Sequence, residues 1–154
     1  KYQVIHQCGE GQLDAVRAEV DKFIKEGEQT YGNTIANQYR LVPFFNATQM
    51  AQAYAVADVI ISRAGGVIFE LALVGKPVIL IPLSSAANDH QLKNALEFVS
   101  AGAILVEEQN VTPHVVLHHI QSVLDPQVYG SLCARITSFA KPDAAARIAD
   151  VLLS

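Results

Sequence analysis

The sequence predicts an α/β fold, a Rossmann-like parallel sheet with helices on both faces. Short apolar runs alternate with segments whose apolar residues recur every three or four positions, which is typical of strands alternating with helices. The runs show little polar alternation, as expected for parallel strands that are buried on both faces. We therefore expect about five strands, right-handed crossovers and one domain over residues 1–154.

The first third of the chain predicts two strands and two helices. A strand over Tyr2–His6 precedes a helix that ends at Gly27. At 3.6 residues per turn, this helix has about four turns. Residues 28–38 are polar and predict a loop, after which Tyr39–Phe44 forms the second strand. A helix around residues 50–56 follows, capped by Asn46 or Thr48. The first helix is indicated by apolar residues at spacings of three and four, namely Leu13, Val16, Val20, Phe23 and Ile24.

The stretch Asp58–Ala95 predicts a strand, a glycine turn, a short helix and a second strand, with Gly75 ending the helix. A fourth helix starts near Asn88 or Asp89, either of which is a suitable cap. The first four elements are, in order, Val59–Ile61, Ser62–Gly66, Val67–Val74 and Val78–Ile81.

The last third predicts a short strand, Ala103–Val106, and then three helices. Thr112 and Pro113 have the residue types of a helix cap and a first helical position. Two proline-containing breaks, Asp125-Pro126 and Lys141-Pro142-Asp143, separate the helices.

Composition excludes several classes of function. The formal net charge is −4 and no cluster of lysine and arginine stands out, so binding to nucleic acid has no electrostatic support. No apolar run has the length of a membrane span. Cys8 and Cys133 are far apart and predict neither a disulfide framework nor a zinc site. His114 and His118 lie four apart, but no third metal ligand is in view, so no metal is predicted.

The glycine turn and its neighbour Arg63 carry the first chemical signal. Gly65 and Gly66 have no Cβ, so a ligand can approach the backbone closely, and the following helix offers free N–H groups to an anion such as a diphosphate. The alternative is a tight strand-to-helix turn without a ligand. Arg63 is equally a phosphate ligand or a partner in a structural ion pair.

Two further groups of polar side chains add to this signal. Glu70 stands in an apolar segment, so it either pairs with Arg63 or accepts hydrogen bonds from a diol such as ribose. Gln91 and Asn94 lie three apart on one face of a helix, where side-chain amides can donate to and accept from sugar hydroxyls. His6 and Gln7 end a strand, where ligands bind in open α/β sheets, although a local cap is the simpler interpretation.

Three motifs together resemble a known family. The segments R-A-G-G-x-I-x-E-L, K-P-x-I-L-I-P and D-H-Q-x-K-N-A are similar to the carboxyl-terminal domain of the MurG family. These are bacterial GT-B glycosyltransferases that transfer N-acetylglucosamine from UDP-GlcNAc to a lipid-linked muramyl-pentapeptide in peptidoglycan synthesis. The resemblance covers nearly the whole chain and implies the donor-binding half of such an enzyme.

The resemblance implies a role for each matching residue. Phe45 would contact the uracil, Glu70 the ribose and Gln91 with Asn94 the N-acetylglucosamine hydroxyls, with His90 a further participant. The diphosphate would contact Arg63 and the turn Ala64, Gly65, Gly66 and Val67. No metal or other cofactor is implied. The general base is expected on the amino-terminal domain, so we expect this chain alone to be inactive.

The sequence departs from the family pattern in two places. Glu70 lies seven positions after Arg63, where the pattern has eight, so Glu70 keeps its place only if the turn is tighter. The strand and G-G-S-x-G loop that open the family's domain are absent, which predicts an open sheet edge that a homodimer could cover.

Other interpretations remain open from the sequence. One is a UDP-sugar transferase that acts on another acceptor, such as a glycolipid or a dolichol-linked sugar. The other is a non-catalytic module that binds a nucleotide sugar. For a MurG-type enzyme, the resemblance implies a cytoplasmic protein that binds peripherally to the inner face of the membrane.

Overall fold

The computed structural model of the chain describes residues 2–31, 36–83 and 90–153. The chain divides into two compact units, Lys1–Ala55 (unit 1) and Val56–Ser154 (unit 2). Every strand pair in both units is parallel, and helices connect the strands, which confirms the predicted α/β class.

Unit 1 contains a two-stranded parallel sheet in which Val4 lies opposite Tyr39. Its first helix runs to Tyr31, so the predicted stop at Gly27 and the predicted loop start at residue 28 are both wrong. A glycine inside a helix costs only about 1 kcal/mol relative to alanine, and Glu and Gln are good helix formers. The elements are β1 (Val4–Gln7), α1 (Leu13–Tyr31), β2 (Tyr39–Val42) and α2 (Ala47–Val56).

Asn46, and not Thr48, is the cap of α2. The Asn46 Oδ1 accepts a hydrogen bond from the Gln49 N–H at 2.9 Å, and the Gln49 Oε1 accepts from the Asn46 N–H at 3.1 Å. This reciprocal arrangement is a capping box, which satisfies two backbone donors that a helix start otherwise leaves unpaired.

Unit 2 contains a three-stranded parallel sheet with β4 in the centre. The central strand is fully buried, as its unbroken apolar sequence predicts. Its strands are β3 (Ile60–Ser62), β4 (Val78–Leu80) and β5 (Ile104–Leu105). Its helices are α3 (Ile68–Val74), α4 (His90–Ser100), α5 (Pro113–Val123), α6 (Pro126–Ser138) and α7 (Ala144–Leu153).

Several predicted helix boundaries in unit 2 are confirmed, although α3 begins at Ile68, one residue later than predicted. Gly75 ends α3 in the left-handed region with φ of 67°. The Thr112 side chain accepts from the Val115 N–H at 3.2 Å, and the Asp125 side chain accepts from the Gln127 N–H at 2.8 Å. The predicted caps Asn88 and Asp89 lie outside the described residues.

The fully buried apolar side chains that the structure describes all belong to unit 2. Phe98 of α4 lies against Phe139 with ring centroids 5.1 Å apart, and Phe139 stacks on Phe69 of α3 at 6.0 Å. This cluster joins α3, α4 and the residue that follows α6. The largest members of the core are Phe98, Ile68, Leu71, Ile79, Leu80 and Ile136.

Two remaining expectations concern cysteines and membranes. Cys8 and Cys133 are free thiols, as predicted. Among the helices that the structure describes, none has both the length and the apolar character needed to span a bilayer.

Candidate functional site

The glycine turn between β3 and α3 is open on the side where a side chain would project. A Cβ built on Gly65 or Gly66 would meet no heavy atom within 4 Å. Neither glycine has a positive φ, so the turn geometry itself does not require glycine. The turn is closed by one hydrogen bond, from the Ile68 N–H to the Gly65 carbonyl at 3.3 Å. Glycine at these positions therefore leaves free space in front of the backbone.

Backbone donors lie next to this space. Within the described part of the chain, no acceptor is bonded to the N–H groups of Gly65, Gly66 or Val67. Val67 is the N-cap of α3, and Ala64 is completely buried beneath the turn. Unpaired amides at a helix start are suited to an anion. Because α3 has only seven residues, the amides themselves contribute more here than the helix dipole.

The first turns of α4 are tied to the ends of β3 and β4 through side-chain amides. The Asn94 Nδ2 donates to the carbonyl of Ala64 at 3.3 Å, across the start of the glycine turn. The Gln91 Oε1 accepts from the N–H of Leu83 at 2.9 Å, just beyond β4. The structure therefore brings the predicted residues Ala64 and Asn94 together in unit 2.

These two contacts fix the orientation of each amide. The Asn94 nitrogen is hydrogen-bonded within the protein, which leaves its Oδ1 available to a ligand. The Gln91 oxygen is hydrogen-bonded, which leaves its Nε2 available. Neither remaining atom has a partner among the described residues. The pair consequently offers one acceptor and one donor.

Glu70 lies in the first turn of α3 and is exposed. Of the two interpretations that the sequence left open for Glu70, the ion pair with Arg63 is wrong, since Arg63 pairs with a different carboxylate. Glu70 has no hydrogen bond or ion pair within the part of the chain that the structure describes. Its carboxylate avoids burial because the buried face of α3 is formed by Ile68, Leu71 and Ala72.

Arg63 lies at the carboxyl ends of the strands. Its Nη1 lies 2.9 Å from the Glu108 Oε1 and donates to the Ile81 carbonyl at 3.1 Å. The sequence motifs did not indicate Glu108 as part of the site. A signal was available, because Glu108 closely follows β5 and the carboxyl ends of neighbouring parallel strands share one edge.

The predicted residues of unit 1 form a local arrangement. The Gln7 Oε1 accepts from the Phe45 N–H at 2.9 Å, so the backbone donor of Phe45 is occupied. The His6 Nδ1 is hydrogen-bonded to the Tyr39 hydroxyl on the neighbouring strand β2. Burial, and then the nearby Cys8 thiol, raise the pKa of Tyr39. Phe44, the end of the predicted second strand, lies beyond β2 and is 60% exposed.

The histidines add no metal site in the described residues. His114 and His118 are exposed, and the His118 ring contacts the His119 ring at 5.5 Å. No group of three potential metal ligands occurs within the described ranges. His90 is the first residue of α4, and its side chain lies outside the described part of the structure.

Comparison with known proteins identifies the family. The family model of the glycosyltransferase family 28 C-terminal domain matches residues 1–148. A Cytophaga hutchinsonii protein is 38% identical over 129 residues, which cover 82% of this chain and 34% of that protein. A protein of Xanthomonas campestris pv. campestris strain B100 is 36% identical over 153 residues, which cover 97% of this chain and 33% of that protein.

Both relatives are named UDP-N-acetylglucosamine--N-acetylmuramyl-(pentapeptide) pyrophosphoryl-undecaprenol N-acetylglucosamine transferase. The crystal structure of Acinetobacter baumannii MurG matches with a TM-score of 0.76 and 29% identity, over 97% of this chain and 40% of that one. The chain therefore spans about a third of the length of these curated relatives. With most of its residues matched by the family model, the chain belongs to the glycosyltransferase family 28 C-terminal domain family.

Proposed function

We propose that the chain binds the UDP-GlcNAc donor of a MurG-type N-acetylglucosaminyltransferase. The observation that carries the proposal is the hydrogen bond from Asn94 Nδ2 to the Ala64 carbonyl, which joins α4 to the open glycine turn. One ligand with a charged centre and a polyhydroxylated end can contact both features. The acceptor, a lipid-linked muramyl-pentapeptide, would bind through a segment outside this chain.

The diphosphate is proposed to lie against the glycine turn. The free space at Gly65 and Gly66 and the unbonded amides from Gly65 to Val67 support this placement. Two phosphate groups carry their charge on oxygens that accept from backbone N–H groups at short distance. Arg63 adds a guanidinium that is half exposed and able to reach solvent.

The sugar is proposed to lie against Gln91 and Asn94. Their contacts with Leu83 and Ala64 leave one donor and one acceptor, which is the pair that a sugar hydroxyl satisfies by accepting and donating at once. A site of this kind discriminates against an analogue that lacks the hydroxyl, because the bound ligand would cover a polar group and leave it unpaired. His90 begins the same helix and is kept as a further candidate.

The remaining contacts concern the nucleoside. Glu70 is exposed in the first turn of α3 and has a free carboxylate among the described residues, which suits the two hydroxyls of a ribose. Phe45 is proposed to contact the uracil. Because its N–H is used by Gln7, the backbone atom left for the base is the Phe45 carbonyl.

In the transfer reaction, negative charge grows on UDP as the bond from the sugar to the diphosphate breaks. Donors fixed before the reaction stabilise that charge without further reorganisation. The backbone amides of the turn and the Arg63 guanidinium would supply this effect. The base that deprotonates the acceptor hydroxyl is proposed to lie outside this chain, so we expect no turnover of UDP-GlcNAc by these 154 residues alone.

Isothermal titration calorimetry with UDP and UDP-GlcNAc tests the proposal. We expect Asn94→Ala to weaken binding of UDP-GlcNAc about tenfold, the equivalent of one charge-assisted or two neutral hydrogen bonds, and to affect UDP less. Glu70→Ala should weaken both ligands. The matched control is Glu26→Ala, which removes an exposed carboxylate from α1. Failure of the unaltered full-length protein to bind UDP would refute the proposal.

The same titration separates the alternative donors. We propose UDP-GlcNAc because the relatives that match most of this chain carry it in their names. Tighter binding of UDP-glucose or UDP-galactose would favour a transferase with another donor. Binding without turnover by the full-length protein would favour a non-catalytic module. Peripheral attachment at the inner face of the membrane is part of the proposal, and cell fractionation of the full-length protein tests it.

A further inference from the structure

One side chain, Arg63, connects the carboxyl ends of all three strands in unit 2. Arg63 directly follows β3, and its Nη1 donates to the carbonyl of Ile81, which directly follows β4, at 3.1 Å. The same nitrogen lies 2.9 Å from the carboxylate of Glu108, which comes three residues after β5. The guanidinium is therefore held at the edge of the sheet by two different strand ends.

The geometry of the guanidinium limits what remains available. Nη1 carries two hydrogens, which match the two oxygens of Ile81 and Glu108. Nε and Nη2 have no partner in the ranges that the structure describes. The N–H bonds of these two nitrogens point in parallel and form the edge that binds two oxygens of one phosphate or carboxylate.

Glu108 lies in a turn that is stabilised by hydrogen bonds to Glu107. The neighbouring Glu107 Oε2 accepts hydrogen bonds from the Gln109 Nε2 at 3.0 Å and the Asn110 Nδ2 at 3.3 Å. The Asn110 N–H also donates to the Glu107 carbonyl at 2.8 Å. Glu107 thus organises the turn, and Glu108 is the member of the turn that reaches Arg63.

We propose that Glu108 is a positioning residue for Arg63, and that it holds the guanidinium with its Nε and Nη2 edge free for a phosphate of the nucleotide. This inference rests on the proposed function. The side chains of Arg63 and Glu108 are 50% and 33% exposed, so the ion pair contributes little to folding. Its effect is to keep a flexible side chain in one orientation before the ligand arrives, which reduces the entropy lost on binding.

Titration of UDP and of uridine against the full-length protein tests the inference. We expect Glu108→Gln to weaken UDP binding about fivefold and to leave uridine binding unchanged, because only UDP carries the phosphates. Glu107→Gln is the matched control. It removes the same charge one residue away and keeps an oxygen for Gln109 and Asn110. A merely structural role of Glu108 would change UDP and uridine binding together.

A double-mutant cycle with Arg63 completes the test. Arg63→Lys keeps the positive charge but lacks the two-nitrogen edge, so UDP binding should weaken as much as in Arg63→Ala. Glu108→Gln should have no further effect in either Arg63 variant. If the fivefold loss persists there, or if Glu107→Gln produces it too, the inference is wrong. UDP binding that tolerates Arg63→Ala overturns this inference alone, whereas no UDP binding by the unaltered protein overturns the proposed function as well.

Discussion

The two units of the chain are stabilised in different ways. Unit 2 encloses a buried apolar core around Phe98, Leu71 and Ile79, and its central strand has no exposed residue. In unit 1, none of the described side chains is fully buried, and Phe23 is 66% exposed. There, α1 and β2 line an open apolar groove of about 540 Å³. Unit 1 therefore depends on strand pairing and polar contacts, such as Gln7 with Phe45, more than on apolar burial.

This difference matters for the proposed site. Arg63 and the glycine turn lie between β3 and α3, and the two amides lie on α4. Because α3 and α4 supply buried core residues of unit 2, we expect the geometry of these groups to be largely set before a ligand binds. Phe45 belongs to the unit without a core and is held by one hydrogen bond from its backbone. We expect diphosphate and sugar contacts to be preformed and the contact at Phe45 to be the more variable one.

The largest expected effect comes from removing a core ring in unit 2. Phe98 is completely buried and packs against Phe139, so Phe98→Ala should lower the free energy of unfolding by about 3 to 5 kcal/mol. The same change at Phe23 should lower it by less than about 1 kcal/mol, because most of that ring is already in water. Urea denaturation followed by circular dichroism measures both.

The comparison of the units would fail if the two phenylalanine variants lost similar stability. A large loss at Phe23 would mean that α1 is covered by something in solution. Cross-linking and analytical ultracentrifugation would then identify a second copy of the chain as the cover or exclude it.

A second and smaller effect separates glycines required by the fold from glycines kept free for a ligand. Gly75 has φ of 67°, and a Cβ there would lie 2.5 Å from the Thr137 Oγ1, so Gly75→Ala should cost about 1 to 3 kcal/mol. Gly66 has neither restriction. Gly66→Ala should leave stability within about 0.5 kcal/mol of the unaltered protein and weaken UDP binding.

Thermal melts and UDP titrations of the two glycine variants measure these effects. Gly130→Ala in α6 is the control, since a Cβ there meets nothing within 4 Å and no proposed ligand contact is near it in sequence. We expect it to raise stability by about 0.5 to 1 kcal/mol. Unchanged UDP binding by Gly66→Ala would remove the diphosphate from the turn.

Most of the fold of unit 2 was predictable from local signals. Each of these signals lies within a few residues of sequence. They are the apolar run of β4, the helix stop at Gly75 and the helix caps Thr112 and Asp125. Unit 1 was less predictable. The apolar spacing in α1 fades after Ile24, but the backbone stays helical to Tyr31, because polar helix formers need no apolar partner to continue a turn.

The sequence indicated most residues of the candidate site, but it did not indicate which of them contact one another. Gln91 and Asn94 were identified from their spacing, whereas their partners Leu83 and Ala64 depend on tertiary contacts over 8 and 30 residues of sequence. Glu108 was missed for the same reason. It lies 45 residues after Arg63, and only the parallel order of β3, β4 and β5 brings the two together.

A third prediction compares helix caps in the two units. Asn46→Ala removes one half of the capping box of α2, and Thr112→Ala removes the cap of α5. Each change should lower stability by about 1 kcal/mol. If unit 1 unfolds separately, Asn46→Ala will shift only the earlier of two transitions. Hydrogen exchange measured by mass spectrometry shows whether the two units unfold separately. If Asn46→Ala lowers the protection of backbone amides equally in both units, the chain unfolds in a single cooperative transition.

The smallest expected effect is a pH dependence of unit 1 in alkaline solution. Burial, followed by the Cys8 thiol, raises the pKa of Tyr39 above 10.0. Because the fold favours the neutral phenol, its contribution to stability is complete below pH 10.0 and is lost as the pH rises through the raised value. The tyrosinate absorbance of the unaltered protein minus that of Tyr39→Phe isolates this one titration.

Cys8→Ser separates the two causes. It removes the thiolate but not the burial, so the titration of Tyr39 should move to lower pH and stay above 10.0. Tyr129 of unit 2, whose pKa is raised first by burial and then by Cys133, should not respond to Cys8→Ser. A Tyr39 titration at or below 10.0 would mean that water reaches the hydroxyl freely, and unit 1 would then be more open than its contact between His6 and Tyr39 indicates.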